Sequence, residues 1–273
     1  MALSNLTTPG VYIQEISTLP PSIAPVSTAV PGFIGYTEKG PKNTPTRITS
    51  LLEFEAIFGG AYREIYEIDI DLAGVPTISN STSISPYTLY YHLQMYFGNG
   101  GGPCHIISVG KYDHTPIPTI TAADFYVSGN PAIGISVAEE VDEITLLVAP
   151  EVSELTNSSQ IRSVFDAMLA QCEKLKDRFC IFDVQSTGVP LADSNLFRNL
   201  QISANSLKYG AAYYPPLDTI LKKRYSDDEV LINDNRTPQV YDNQPKNRLW
   251  IFLGGVESYF EVQFTGGAIS RVY

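Results

Sequence analysis

Between Glu140 and Tyr214 short apolar runs alternate with amphipathic segments, and this alternation limits the possible fold more than any other feature of the chain. Ile144 to Ala149 (ITLLVA) is short, ends at Pro150, and suits a strand covered on both faces. Gln160 to Lys176 then carries Ile161, Val164, Phe165, Met168, Leu169, Cys172 and Leu175 on one helical stripe, with Asn157 to Ser159 available as caps. Phe179 to Val184 (FCIFDV) reads as the next strand. Asp193 or Ser194 can cap a second helix in which Leu196, Phe197, Leu200, Ala204 and Leu207 share a face, and Gly210 stops it before a strand at Ala211 to Tyr214. With right-handed crossovers this series builds a parallel three-stranded unit with helices packed on it. The expected fold class is therefore α/β, a mixed or largely parallel sheet flanked by helices, with an extended N-terminal arm.

The arm is read from Thr8 onward. Pro9-Gly10 fits the centre of a type II turn. A short strand follows, with Val11, Ile13 and Glu15 on one face and Tyr12, Gln14 and Ile16 on the other, so each face keeps apolar groups and the strand calls for a partner. Pro20, Pro21 and Pro25 favour polyproline-like extension and hold the arm away from the body. The body begins near Thr28 with Val30 to Tyr36 (VPGFIGY), an apolar strand whose Gly32 and Gly35 permit close approach of neighbouring backbone. Three regions result: an arm and proline-rich linker over 1–27, an α/β core over 28–232, and a polar linker with a β-hairpin tail over 233–273.

Within the first half of the core, Ser50-Leu-Leu-Glu53 matches a capping box for a helix to Phe58, stopped by Gly59-Gly60. Glu64 to Leu72 alternates Tyr66, Ile68, Ile70 and Leu72 with Glu67, Asp69 and Asp71, the pattern of a solvated edge strand rather than of a calcium loop. Gly74 to Ser83 is a polar loop. Ser85-Pro86 supplies a cap and a first-turn proline for a helix through Phe97. The glycine-rich run Gly98 to Pro103 then leads into an apolar strand, Cys104 to Val109. A phosphate cradle needs the opposite order, strand then helix, and a closing Lys-Ser or Lys-Thr that is absent. Leu249 to Leu253 and Tyr259 to Phe264 form a hairpin around Gly254-Gly255.

Eighteen basic against twenty-nine acidic residues give a net charge of −11, which argues against nucleic-acid partners and against an anionic membrane surface. No charged leader with a long apolar centre and no run near the ~20 apolar residues of a membrane span occurs, so synthesis and folding in the cytoplasm are expected. Three cysteines without CxxC spacing, Cys104, Cys172 and Cys180, read as buried reduced thiols. The three histidines, His92, His105 and His114, fit neither a metal cluster nor a hydrolase triad, since Cys104 and His105 alternate across a strand and no Gly-x-Ser-x-Gly elbow occurs. The strand ends at Pro150-Glu151, Asp183 to Gln185 and Tyr214 to Pro216 are where a parallel sheet usually binds ligands. Asp183 is the sole catalytic-looking group there and reads better as a loop-capping carboxylate. No catalytic, cofactor-binding or metal-ligating residue is assigned, and no cofactor is expected. Lys222, Lys223 and Arg224, followed by Asp227, Asp228 and Glu229, read as a solvated polar surface.

Four stretches, Thr8 to Glu15 with Val30 to Tyr36, Phe97 to Cys104, Val141 to Pro150, and Ala211 to Pro215, resemble in this order the tail sheath proteins of contractile phage tails and related bacterial injection machines. The resemblance covers roughly Thr8 to Leu217. It implies a non-enzymatic subunit that polymerises helically around an inner tube, contracts, and meets other sheath subunits, the tube protein and baseplate or terminator proteins, with no direct membrane insertion. It also implies that Val11, Tyr12, Ile13, Gln14, Glu15 and Ile16 form the strand exchanged with a neighbouring subunit. An α/β enzyme using Asp183, and a sheath-like adaptor or cap, are the alternatives. No counterpart of the family's C-terminal domain follows Asn243, and the change of texture near Pro245 favours an aberrant or divergent end.

Overall fold

The computed structural model describes residues 29–79, 85–112, 119–217, 219–225 and 230–234, together with the backbone of three strands at 248–253, 256–265 and 268–272. The arm strand Val11 to Ile16 lies outside the described residues, as do His114, the acidic run 227–229 and the linker 235–247.

Short apolar runs, without the polar face of a surface helix, make the main sheet. β1 (Pro31–Thr37) pairs in parallel with β5 (Cys104–Lys111) on one side and β6 (Leu146–Val148) on the other. Beyond β6 come β7 (Phe179–Asp183) and β8 (Gly210–Tyr213), also parallel, while the short β2 (Thr46–Ile48) closes the far edge antiparallel to β5. The order is β2-β5-β1-β6-β7-β8, so the expected α/β class and the parallel β6-β7-β8 unit are present.

Alternation along the central strands sends side chains to opposite layers. Phe33 and Ile106 point into a cluster formed with α1 (Leu51–Phe58) and α2 (Leu89–Gly98), which contribute Phe54, Phe58, Leu89 and Leu93. Ile34, Ile107 and Val109 point the other way, into the larger cluster. There α4 (Ser158–Leu175) buries Ile161, Val164, Phe165, Met168, Leu169 and Cys172, and α3 (Ala122–Phe125) adds Phe125. Asn157 caps α4 by accepting from the Ser159 N–H at 2.9 Å. Two faces covered by helices explain why β1 is buried at every position, and why its residues are uniformly apolar or small.

Several local expectations change. The second helix of the repeat, α5 (Pro190–Asn199), starts at Pro190 behind Val189, not at Asp193 or Ser194, because the Asp193 carboxylate is occupied by the preceding loop. Gln201, at φ +51°, breaks the helix from a separate 3-10 helix at Ala204–Tyr209, leaving Leu196 and Leu207 exposed instead of sharing a buried stripe. Likewise α2 begins at Leu89, with Thr88 as its cap residue, because Ser85 bonds elsewhere. In α1, Ser50 accepts from the Glu53 N–H at 3.2 Å, but the Glu53 carboxylate reaches one residue further back, to the Thr49 N–H at 2.8 Å.

The alternating acidic strand, β3 (Tyr66–Ile70), is the centre of a second sheet, not an edge. β4 (Pro76–Ile78) lies antiparallel to it, inside what reads as a polar loop, and β9 (Val230–Asp234) lies parallel on the other side. Tyr66, Ile68 and Ile70 are buried with Val230, whereas Glu67 and Asp69 both accept from the Asn233 side chain, at 2.9 and 2.8 Å. The tail holds three antiparallel strands in place of a simple hairpin: β10 (Arg248–Leu253), β11 (Val256–Thr265) and β12 (Ala268–Val272).

Candidate functional site

The carboxyl ends of the main sheet's parallel strands carry Glu151, Asp183 and Asp193, each held differently. β6 stops at Val148, opposite Phe33, and the chain turns into a 3-10 helix at Pro150–Glu154. Extending that register would set residue 151 beside Tyr36, and there the Glu151 side chain replaces strand backbone. Its Oε2 accepts from the Tyr36 N–H at 2.7 Å, and its Oε1 accepts from the Thr88 and Leu89 N–H groups at 3.1 and 3.2 Å. One buried carboxylate thus continues the β1 ladder and satisfies the first amides of α2. Burial pushes its carboxyl up to about 8, with the three amide donors acting against the rise. Gly35 makes the arrangement possible: a Cβ there would lie 2.8 Å from Glu151 Oε2 and 3.1 Å from Leu89. The close approach at this glycine is therefore to side chains from two other elements, not to neighbouring backbone.

Asp183, at the end of β7, caps no loop among the described residues. Its Oδ2 lies 3.8 Å from His92 Nε2 on α2, and both side chains are roughly half exposed. The capping role belongs to Asp193, which accepts from the Thr187 N–H and hydroxyl at 2.7 and 2.5 Å, from the Ser186 hydroxyl at 3.0 Å and from the Tyr214 hydroxyl at 3.1 Å. The Thr187 hydroxyl foremost, with the Thr187 amide, Ser186 and Tyr214 adding to it, holds that carboxyl below the ordinary range. Tyr214 therefore serves Asp193, and the structure does not bring it together with Asp183.

Away from these strand ends, Glu64 is also buried. It accepts from the Ser85 N–H and hydroxyl at 3.0 and 2.6 Å and pairs with Lys223 Nζ at 3.0 Å. Lys223 is thus not part of a solvated polar surface. Its ammonium sits against a carboxylate whose side chain is 2% exposed, and it donates to Ser85 O as well. Next to it runs a polar groove of about 510 Å³ lined by Glu38, Glu55, Tyr90, Tyr91, Lys222 and Arg224 among others. Tyr90 donates to Glu55 at 2.6 Å, and burial, aided by Glu55, pushes its phenol up to about 12. The Tyr91 hydroxyl accepts from the Arg224 N–H at 2.9 Å. Neither Asp183 nor Tyr214 lines this groove.

Among the described residues no group of three His, Cys, Asp or Glu side chains could hold a metal ion. His105 Nε2 instead meets Glu143 at 2.8 Å. The Gly98–Pro103 run joins α2 to β5; a Cβ on Gly98, Gly100 or Gly102 would meet nothing within 4 Å, whereas one on Gly101 would lie 2.5 Å from the Tyr96 ring. No helix among the described residues is long and apolar enough to cross a membrane. Glu151 and the Glu64–Lys223 pair escape sequence reasoning. Pro150-Glu151 is visible as a strand end, but its amide partners are 62 to 115 residues away in sequence, and Lys223 is 159 residues from Glu64.

No protein-family model and no curated protein matches the chain. Among solved structures, a chain in the cryo-EM structure of the anti-feeding prophage (AFP) baseplate in contracted state aligns with 80% of this chain and 49% of its own length, at 21% identity and a TM-score of 0.52. The two share a fold. A chain in the six-fold symmetrised AFP baseplate structure aligns with 78% of this chain and 48% of its own length, at 27% identity and a TM-score of 0.41. The chain spans about half the length of the chains it matches.

Proposed function

We propose that this chain is a structural component of a contractile injection machine and, within it, a sheath-type subunit that stacks helically around an inner tube and exchanges the strand Val11 to Ile16 with a neighbour. The observation that carries the reading is the coincidence of the sheath-like stretches with the elements that build one sheet. Val30 to Tyr36 is the fully buried β1, Phe97 to Cys104 links α2 to β5, Val141 to Pro150 delivers β6 and the turn to Glu151, and Ala211 to Pro215 covers most of β8 and continues past it. The fold shared with part of an AFP baseplate chain supports the same machine. A non-enzymatic role is supported by the commitment of Glu151, Asp193 and Glu64 to amide, hydroxyl and ammonium partners that hold the scaffold together.

The β-augmentation model assigns the cohesion of the assembly to main-chain bonds between the arm and a neighbouring sheet, while the proline-rich linker flexes. The test is negative-stain electron microscopy of the full chain mixed with its inner tube protein, beside a variant lacking the first twenty-five residues. Helical sheaths from the full chain and dispersed folded monomers from the deletion are expected. An undiminished yield of sheaths from the deletion would remove the arm from the mechanism. A second reading, an adaptor or cap of the same machine, draws on the baseplate origin of the matched chain. It predicts binding of this chain to tail ends in place of polymers along the tube.

A further inference from the structure

Cys172 and Cys180 share the larger core cluster, whereas Cys104 belongs to the cluster on the opposite face of the sheet. Cys172 lies one turn from the end of α4, and Cys180 is the second residue of β7. Both are fully buried, and their Sγ atoms are in contact at 3.1 Å. The connection between them is a tight reversal. The Lys176 N–H donates to Cys172 O at 2.8 Å with Lys176 in the left-handed region at φ +62°, and Glu173, Lys174, Lys176 and Asp177 face solvent. Cys172 thus lies just inside a helix end flanked by solvent-facing residues, whereas Cys180 is held between Leu147 of β6 and Gly210 of β8.

We propose that Cys172 and Cys180 are a covalent modification site, a pair that forms a disulfide by exchange with a low-molecular-weight disulfide and so clips α4 to β7. The exchange has two displacements. With the helix end open, Cys172 loses its proton and attacks one sulfur of the small disulfide; that S–S bond breaks, one small thiolate leaves, and a mixed disulfide remains on Cys172. When the turn recloses, Cys180 loses its proton and attacks the Cys172 sulfur, the protein S–S bond forms, and the second small thiolate leaves. Two protein thiols are oxidised, one small disulfide is reduced, and the two released thiolates take up the two protons. The contact with Cys172, together with burial, pushes the Cys180 thiol up, so the second displacement quickens as pH rises. Cys104, alone on the other face, has no partner for such a step.

The experiment incubates the folded full chain with glutathione disulfide at about pH 8.5 without denaturant, then alkylates under denaturing conditions and maps the peptides by mass spectrometry. The expected product has a 172–180 cross-link, an intact mass lower by about 2 Da, alkylation at Cys104 only, and reversal by dithiothreitol. Its melting temperature should rise by roughly 5 °C over the reduced chain. Cys172→Ser should abolish the cross-link, and Cys104→Ser, remote from the pair, should preserve it. Alkylation of all three cysteines, a glutathione adduct that persists on Cys172, or a cross-link that forms only in urea would each overturn the assignment.

Discussion

Replacing Glu151 with Gln tests whether a buried carboxylate, rather than backbone, completes the junction between β1 and α2. The folded protein holds this carboxyl at about 8 through burial, against an ordinary value of 4.5. Because the folded value is the higher one, the favourable contribution is fully present below about pH 4.5, declines as pH rises, and is exhausted above about pH 8. At about 1.4 kcal/mol per tenfold change in the protonation equilibrium, the wild-type chain should lose roughly 4 kcal/mol between pH 5 and pH 9 from this group alone. The Gln variant keeps an acceptor for the Thr88 and Leu89 amides but turns an N–H₂ toward the Tyr36 N–H, a loss of about 1–3 kcal/mol that does not vary with pH. Urea unfolding of both chains from pH 5 to 9 measures the difference directly, and subtraction removes the other titrating groups. The variant should be the less stable at pH 5, and the gap should close or invert by pH 9. A difference that stays constant across the range would mean that the three amides and the helix terminus keep the carboxylate ionised throughout, and the burial argument would be refuted.

Three further perturbations probe the same scaffold. Lys223→Met leaves the Glu64 carboxylate buried without its counter-ion and should cost about 2–4 kcal/mol in urea unfolding at neutral pH, with much of the loss restored when Glu64→Gln is added; a loss below about 1 kcal/mol would discount the pair. Gly35→Ala drives a methyl group toward Glu151 and Leu89 and should cost about 1–3 kcal/mol, read as a lower melting temperature, whereas an unchanged melt would show that β1 and α2 can separate freely. Asn157→Ala removes the cap of α4 and should cost about 1 kcal/mol, checked by chemical denaturation against Asn157→Asp, which keeps an acceptor for the Ser159 N–H and should retain most of the stability.

What could be read without coordinates follows from local physics. The apolar runs at Val30–Tyr36, Cys104–Val109, Ile144–Ala149 and Phe179–Val184 each read as a strand, and each contributes a parallel strand to the main sheet. The α4 stripe is fixed by a 3.6-residue period and needs no partner to be recognised. The same local logic fails where a polar side chain is claimed from afar. Ser85 reads as a helix cap but is held by Glu64, and Asp193 reads as a cap but serves the Ser186-Thr187 loop and Tyr214. β3 reads as an edge because its acids alternate with apolar residues, yet that pattern reports one wet face and says nothing about whether strands lie on either side.

The sequence by itself determined the α/β class, the parallel unit, the extent of α1 and the face of α4, because these depend on signals within a few residues. Only the tertiary structure decided that Glu151 extends the β1 ladder into α2, that Lys223 neutralises Glu64, and that Cys172 meets Cys180 across the helix–sheet interface. Each of those contacts joins separate segments of the chain, and the first two span long sequence distances. Their energies come from burial, and burial is a property of the packed layers and of no segment alone.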